Sequence, residues 1–157
     1  MKSYFRIILK TWLVAGTLDI TAASIYYPLT YKFKPVRLYQ NIASGVFGEK
    51  AFAGGTPMAV LGLVFHYFIA FGWTVLFFVI FPKLKILSRN LLVTGIGYGL
   101  FVWIIMNLIV LPLSRVDRPS FPLDQIIISV AFLLFCIGLP IALMIGRYYS
   151  QNTNRRS

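Results

Sequence analysis

Charged residues are scarce in this chain. Among its 157 residues, Asp, Glu, Lys and Arg make up only 12%, whereas a soluble domain carries about 25%. Hydrophobic residues make up 59%, and the mean hydropathy is +0.80. A chain of this length cannot hide so much apolar surface in one aqueous core. The composition therefore excludes a soluble enzyme and a disordered tail, and it favours a protein whose solvent is a lipid bilayer.

Cross-linking and metal-binding residues are almost absent. Cys136 is the only cysteine and His66 the only histidine. One cysteine cannot form an internal disulfide, and one histidine cannot build a metal cluster. We therefore exclude a disulfide scaffold and a zinc module, and we expect neither a metal nor a cofactor.

Acidic residues are few as well, with four Asp and Glu against fifteen Lys and Arg and a net charge of +11. The basic residues lie at the ends of apolar stretches, and the basic tail, 150–157, contains only two of them, Arg155 and Arg156. A nucleic-acid surface needs a larger basic patch. We therefore expect no nucleic acid as a partner and instead expect the lipid bilayer, through its anionic headgroups.

Four stretches are long and apolar enough to cross a bilayer, which takes about 20 residues. They cover residues 7–31, 58–81, 91–113 and 125–149. The predicted fold is all-α, a single transmembrane domain over 1–157 built as an integral membrane bundle of four transmembrane helices.

The first stretch also resembles a signal peptide, because basic residues precede it. Asp19 interrupts its apolar core, whereas a signal peptide has a plain apolar run there. We therefore expect an uncleaved span.

The connection 32–57 contains a predicted amphipathic helix over about 36–47. One set of its residues is apolar at helical spacing (Val36, Tyr39, Ile42, Ala43, Val46 and Phe47), and the opposite set is polar (Arg37, Gln40, Asn41 and Ser44). Two interpretations stay open. The helix lies flat in the membrane interface with its apolar face down, or it re-enters the bundle and closes a polar pocket.

The basic residues are unequally divided between the two sides of the four spans. Nine lie on the side of the amino terminus: Lys2, Arg6, Lys10, Lys83, Lys85, Arg89, Arg147, Arg155 and Arg156. The other side holds the remaining six and all three acids outside the spans, Glu49, Asp117 and Asp124. The positive-inside rule therefore predicts that both termini are cytoplasmic.

Three polar residues fall inside the predicted spans: Asp19, His66 and Asn107. An aspartate at the centre of a span costs about 2.5–3.5 kcal/mol, so a partner must offset that cost. We predict that Asp19 faces His66 inside the bundle, and that Asn107 and one of Thr21, Ser24 or Ser129 complete the hydrogen bonds. This cluster is either a pair that titrates protons or polar adhesion between helices.

Small residues mark the faces on which the helices are expected to pack. Gly16 lies beside Asp19 on the first span, and Gly62 lies beside His66 on the second. Gly95 and Gly99 form a G-x-x-x-G motif in the third span, which favours close helix contact. No strand is predicted before this motif, so it is not a nucleotide-binding loop.

Short motifs that resemble those of a known family are spread over about two-thirds of the chain. They are Ala15-Gly16-Thr17-Leu18-Asp19, Gln40-Asn41-Ile42-Ala43-Ser44-Gly45, Gly48, Ala51-Phe52, Gly54-Gly55, Leu61-Gly62-Leu63 with His66, Tyr98-Gly99, Met106-Asn107 and Leu111-Pro112-Leu113-Ser114. With these motifs the chain resembles a family of small uncharacterised four-span bacterial inner-membrane proteins. Through Phe81-Pro82-Lys83 and the glycine-rich span that follows, it is more distantly similar to the YagU-like membrane proteins. The resemblance implies a multi-pass protein of the bacterial inner (cytoplasmic) membrane, and it implies no reaction.

Three classes of function stay open. The first is a non-catalytic membrane protein that acts through membrane partners or lipid, favoured because the sequence contains no nucleophile–base pair, metal set or cofactor motif. The second is a small proton-coupled transporter or channel that uses Asp19 and His66, and it would be a homo-oligomer because four spans enclose little volume. The third is a membrane-embedded lipid-modifying enzyme, with His66 as acid or base and Glu49 or Asp19 as its partner.

Overall fold

The computed structural model describes residues 2–116 and 123–154. This part of the chain is helical and contains no strand. Its α-helices are α1 (Lys2–Tyr31), α2 (Pro35–Phe47), α3 (Lys50–Ala53), α4 (Gly55–Ile80), α5 (Leu91–Ile105), α6 (Leu111–Leu113), α7 (Leu123–Phe132) and α8 (Leu139–Asn154). The predicted tail charges Arg155 and Arg156 and the loop charges Asp117 and Arg118 lie outside the described residues.

Four continuous helical stretches are long and apolar enough to cross a membrane: Tyr4–Tyr31, Gly55–Lys83, Leu91–Leu113 and Leu123–Gln151. The prediction of an all-helical chain with four such helices is confirmed. The third stretch runs from α5 through a π-helical turn into α6, and the fourth runs from α7 through a second π-helical turn into α8.

Each π-helical turn precedes a proline. The turns cover Met106–Val110 and Leu133–Gly138, and Pro112 and Pro140 follow them. A proline has no N–H to donate, and its ring crowds the carbonyl group four residues earlier. That carbonyl belongs to a residue of the π-helical turn in both cases, so the wider turn accommodates a proline inside a continuous helix.

The helix α1 lies at the centre of the packing, against α4, α8 and the second π-helical turn. The rings of Tyr4, Phe78 and Tyr148 meet where α1 begins and where α4 and α8 end, with Tyr4 5.9 Å from each of the others. We call this the terminal end. At the opposite, connection end, the Arg115 N–H donates to the Gly45 carbonyl 3.0 Å away and attaches the chain after α6 to α2.

The helix α2 packs on α4 with a face that contains both polar and small residues. Gln40, Ala43 and Ser44 are buried, whereas Val36 and Val46 are exposed. Gln40 and Ser44 belong to the polar set of the predicted amphipathic helix, whose placement the sequence left open. The side chain of Gln40 donates to the Gly55 carbonyl 3.0 Å away, so part of the polar set joins α2 to the start of α4, while Arg37 and Asn41 of the same set are exposed.

The interior combines large apolar side chains with small and hydroxyl-bearing ones, and large apolar residues also cover the surface. Thr11, Ala15 and Thr74 are fully buried. By contrast, Phe68 is 74% exposed and Leu113 is 82% exposed. Large apolar side chains thus lie on the outside of the helices as well as in the core, whereas soluble monomers rarely expose large contiguous apolar patches.

Candidate functional site between α1 and α4

His66 on α4 and Asp19 on α1 face each other. The imidazole Nδ1 lies 4.0 Å from the carboxylate Oδ2, and the side chains of His66 and Asp19 are 12% and 18% exposed. The imidazole Nε2 lies 2.9 Å from the carbonyl oxygen of Gly16, one turn before Asp19. His66 therefore joins α4 to both the backbone and a side chain of α1.

A small residue in α1 lets the histidine approach. A Cβ atom at Gly16 would lie 3.1 Å from the ring of Tyr67 and 3.4 Å from the Cβ of Ala70. An added Cβ would therefore require the Tyr67 ring to shift by a few tenths of an ångström, next to the imidazole that reaches the Gly16 carbonyl.

Two more bonds extend the contact on either side of Gly16. The indole N–H of Trp12 donates to the Tyr67 carbonyl over 2.7 Å, and the hydroxyls of Thr17 and Tyr67 are 2.9 Å apart. We call the group Trp12, Gly16, Thr17, Asp19, His66 and Tyr67 the α1/α4 seam. The sequence reasoning missed Trp12, Thr17 and Tyr67. The sequence did contain a signal for Trp12. It lies four residues before Gly16, and this spacing places both residues on one face of α1.

The bond directions restrict where protons reside in the pair. A carbonyl oxygen only accepts, so Nε2 of His66 carries a hydrogen and donates it to Gly16. One further proton, on Nδ1 of His66 or on the carboxyl group of Asp19, makes the pair neutral in total. Loss of that proton leaves an uncompensated negative charge in a mostly buried place, which is costly.

Other members of the predicted cluster bond elsewhere. The Asn107 amide donates to the Trp103 carbonyl, 2.9 Å away in the same helix. Ser24 donates to the Ile20 carbonyl and, having one hydrogen, accepts from the hydroxyl of Tyr39 over 2.9 Å.

Ser129 and Thr21 were the other proposed partners. Ser129 accepts from the indole N–H of Trp103 over 2.9 Å and donates to the Ile126 carbonyl. Thr21 is exposed. The structure thus brings together Asp19 and His66, while the bonds of Asn107, Ser24 and Ser129 attach them to other residues.

The remaining glycines singled out in the sequence lie at close helix contacts. Gly62 abuts the backbone carbonyl of Tyr39, where α2 crosses α4. A Cβ at Gly95 would lie 2.9 Å from the Cα of Leu139, and one at Gly99 would lie 2.6 Å from the carbonyl oxygen of Leu133. The G-x-x-x-G motif therefore faces the second π-helical turn and the start of α8.

The pair Asp19 and His66 provides two side chains of the kinds that bind metals. Within residues 2–116 and 123–154, no group of three or more His, Cys, Asp or Glu side chains is placed to hold a metal ion. Comparison with protein-family models, curated proteins and solved structures finds no match for this chain.

Proposed function

We propose that this chain is an integral membrane protein of four spans that acts without catalysis, through lipid or membrane partners. The observation that carries the proposal is the large number of apolar side chains exposed on the outside of the long helices. Large apolar residues such as Phe68 and Leu113 face outward, while the polar groups of the α1/α4 seam bond to one another between helices. A bilayer stabilises this arrangement, because its hydrocarbon solvates exposed Leu and Phe side chains and offers polar groups no hydrogen-bond partner.

The proposed location is the bacterial inner membrane, with both termini in the cytoplasm. The excess of Lys and Arg on the terminal side supports the orientation, and the resemblance to small bacterial membrane proteins supports the compartment. In this arrangement α2 lies at the outer interface against α4. Val36 and Val46 then face acyl chains, while Arg37, whose guanidinium lies 5.3 Å from the ring centre of Phe52, reaches the headgroups.

Two measurements on the full chain test this proposal. Membranes from expressing cells are washed with alkaline carbonate, and reporter fusions are placed after residue 154 and after Ser114. We expect the protein to stay in the pellet, a cytoplasmic signal from the first fusion and a periplasmic signal from the second. Extraction into the supernatant would overturn the membrane proposal, and reversed reporter signals would overturn the orientation alone.

The contact between Asp19 and His66 favours a second candidate, a proton-coupled transporter or channel formed by several copies of the chain. Its test is proton flux into proteoliposomes as a function of pH. Asp19→Asn and His66→Gln remove the group that holds the proton, whereas Thr17→Val removes a neighbouring hydroxyl of the same seam as a control. Flux abolished in the first two variants and retained in the third supports transport. Equal flux in all proteins rejects it.

A further inference from the structure

A second feature lies away from the α1/α4 seam, at the terminal end. The end of α4 and the start of α5 diverge and leave a cavity of about 600 Å³, lined by Phe77 and Ile80 on one side and by Gly97 and Phe101 on the other. Exposed Ile86, from the connection between the two helices, forms part of its wall. We call this space the α4/α5 groove. Its volume lies within the range of sites that hold small molecules.

The polar groups in the wall are already bonded to the protein. The Tyr98 hydroxyl donates to the Trp73 carbonyl over 2.6 Å, and the Thr94 hydroxyl donates to the Leu87 carbonyl over 2.8 Å. The Asn90 side chain accepts from two backbone N–H groups at the start of α5. An occupant therefore meets aliphatic and aromatic surface along most of the groove, which suits a hydrocarbon chain.

One end of the groove carries a positive charge. Arg89 lines the groove where α5 begins, and Lys85 lies in the same connection. The carboxylates of the described residues lie elsewhere, Asp19 in the middle of α1 and Glu49 and Asp124 at the connection end. A guanidinium without a carboxylate beside it at the end of an apolar groove matches a phosphate attached to hydrocarbon.

We infer that the α4/α5 groove binds one anionic phospholipid, with an acyl chain between α4 and α5 and the phosphate at Arg89. The inference rests on the proposed function, because it requires the groove to open into a bilayer. It names a lipid class and a binding position, neither of which follows from membrane insertion alone.

The test is native mass spectrometry of the full chain purified in detergent, with phosphatidylglycerol or phosphatidylcholine added at equal concentrations. Gly97→Leu places a side chain in the groove, at a position where an added Cβ has no other atom within 4 Å. Gly72→Leu is the matched control, since its Cβ is equally free and Gly72 does not line the groove. Arg89→Gln removes the charge, and Arg6→Gln removes an exposed charge of the same end as its control.

We expect phosphatidylglycerol to be retained in preference to phosphatidylcholine. Gly97→Leu should abolish retention of both lipids, and Arg89→Gln should weaken retention of phosphatidylglycerol about fivefold, the effect of one basic residue on an anionic lipid. Gly72→Leu and Arg6→Gln should behave as the wild type. Unchanged retention in Gly97→Leu, or no preference for the anionic lipid, overturns the inference. The inference is also overturned if Gly97→Leu loses dimers but still retains lipid. In that case a second copy of the chain, and not a lipid, would occupy the groove of the wild-type protein. If the protein withstands carbonate extraction, these negative results leave the proposed function intact.

Discussion

The imidazole of His66 donates a hydrogen bond to the backbone carbonyl of Gly16, across 2.9 Å between α4 and α1. The same ring faces Asp19 with its other nitrogen. One histidine therefore has two separable roles to test, the hydrogen bond that joins two helices and the contact with a carboxylate. Substitutions that keep one role and remove the other distinguish adhesion from proton transfer.

His66→Ala should lower the free energy of unfolding by about 1 kcal/mol, the size of an interhelical hydrogen bond in a membrane protein. His66→Gln should retain most of the stability, because its side-chain amide also donates toward the Gly16 carbonyl. Unfolding in mixed micelles of increasing SDS content measures both. Equal stability of His66→Ala and the wild type would contradict a structural role for this bond.

Gly62→Ala should destabilise the fold by about 1–3 kcal/mol, the cost of overpacking a tight contact. The added methyl group would collide with the Tyr39 carbonyl and displace α2 from α4. Gly72→Ala in the same helix is the control, because its added methyl meets nothing. Thermal unfolding of both variants, with protease accessibility of the 32–57 connection, checks the prediction. Equal melting temperatures would show that α2 does not pack tightly at Gly62.

Gly99→Ala should separate α5 from the second π-helical turn, since its Cβ would lie 2.6 Å from both the Leu133 carbonyl oxygen and the Cα of Leu134. Gly97→Ala, two residues away on the open side of α5, should leave stability unchanged or slightly raised. Denaturation in SDS compares the two variants. A larger loss in Gly97→Ala than in Gly99→Ala would contradict the observed packing face.

Asn90→Ala should cost about 1 kcal/mol, because the Asn90 side chain caps the first turn of α5. Asn90→Asp keeps the acceptor oxygen and should remain close to the wild type. Thermal unfolding of the two variants measures the difference. A loss in Asn90→Asp as large as that in Asn90→Ala would mean that the cap does not stabilise α5.

The positions of the long helices followed from the sequence, because apolar runs of about 20 residues are typical of membrane-spanning helices. The amphipathic helix was predicted over about 36–47 and is observed at Pro35–Phe47. Its packing face was not predictable in the same way. Gln40 and Ser44 look exposed if water surrounds the helix, whereas in the structure they contact protein and Val36 points outward.

The seam was harder to predict than the helices. Asp19 and His66 could be paired because polar groups in apolar helices need partners. The bond from Trp12 to the Tyr67 carbonyl depends on how α1 and α4 are rotated about their own axes. The sequence of one helix alone does not specify that rotation. The π-helical turns also escaped prediction, although Pro112 and Pro140 provide the physical reason for both.

The most direct measurement of the central claim, that lipid surrounds this helical bundle, is thiol labelling in native membranes. Phe68→Cys and Ser88→Cys are made in a Cys136→Ala background and treated with a maleimide, which reacts with the thiolate in water. Phe68 lies in the middle of α4 and is 74% exposed, and Ser88 is exposed in the connection before α5. We expect rapid labelling at position 88 and almost none at position 68 until SDS is added. Equal labelling at both positions in intact membranes would contradict it.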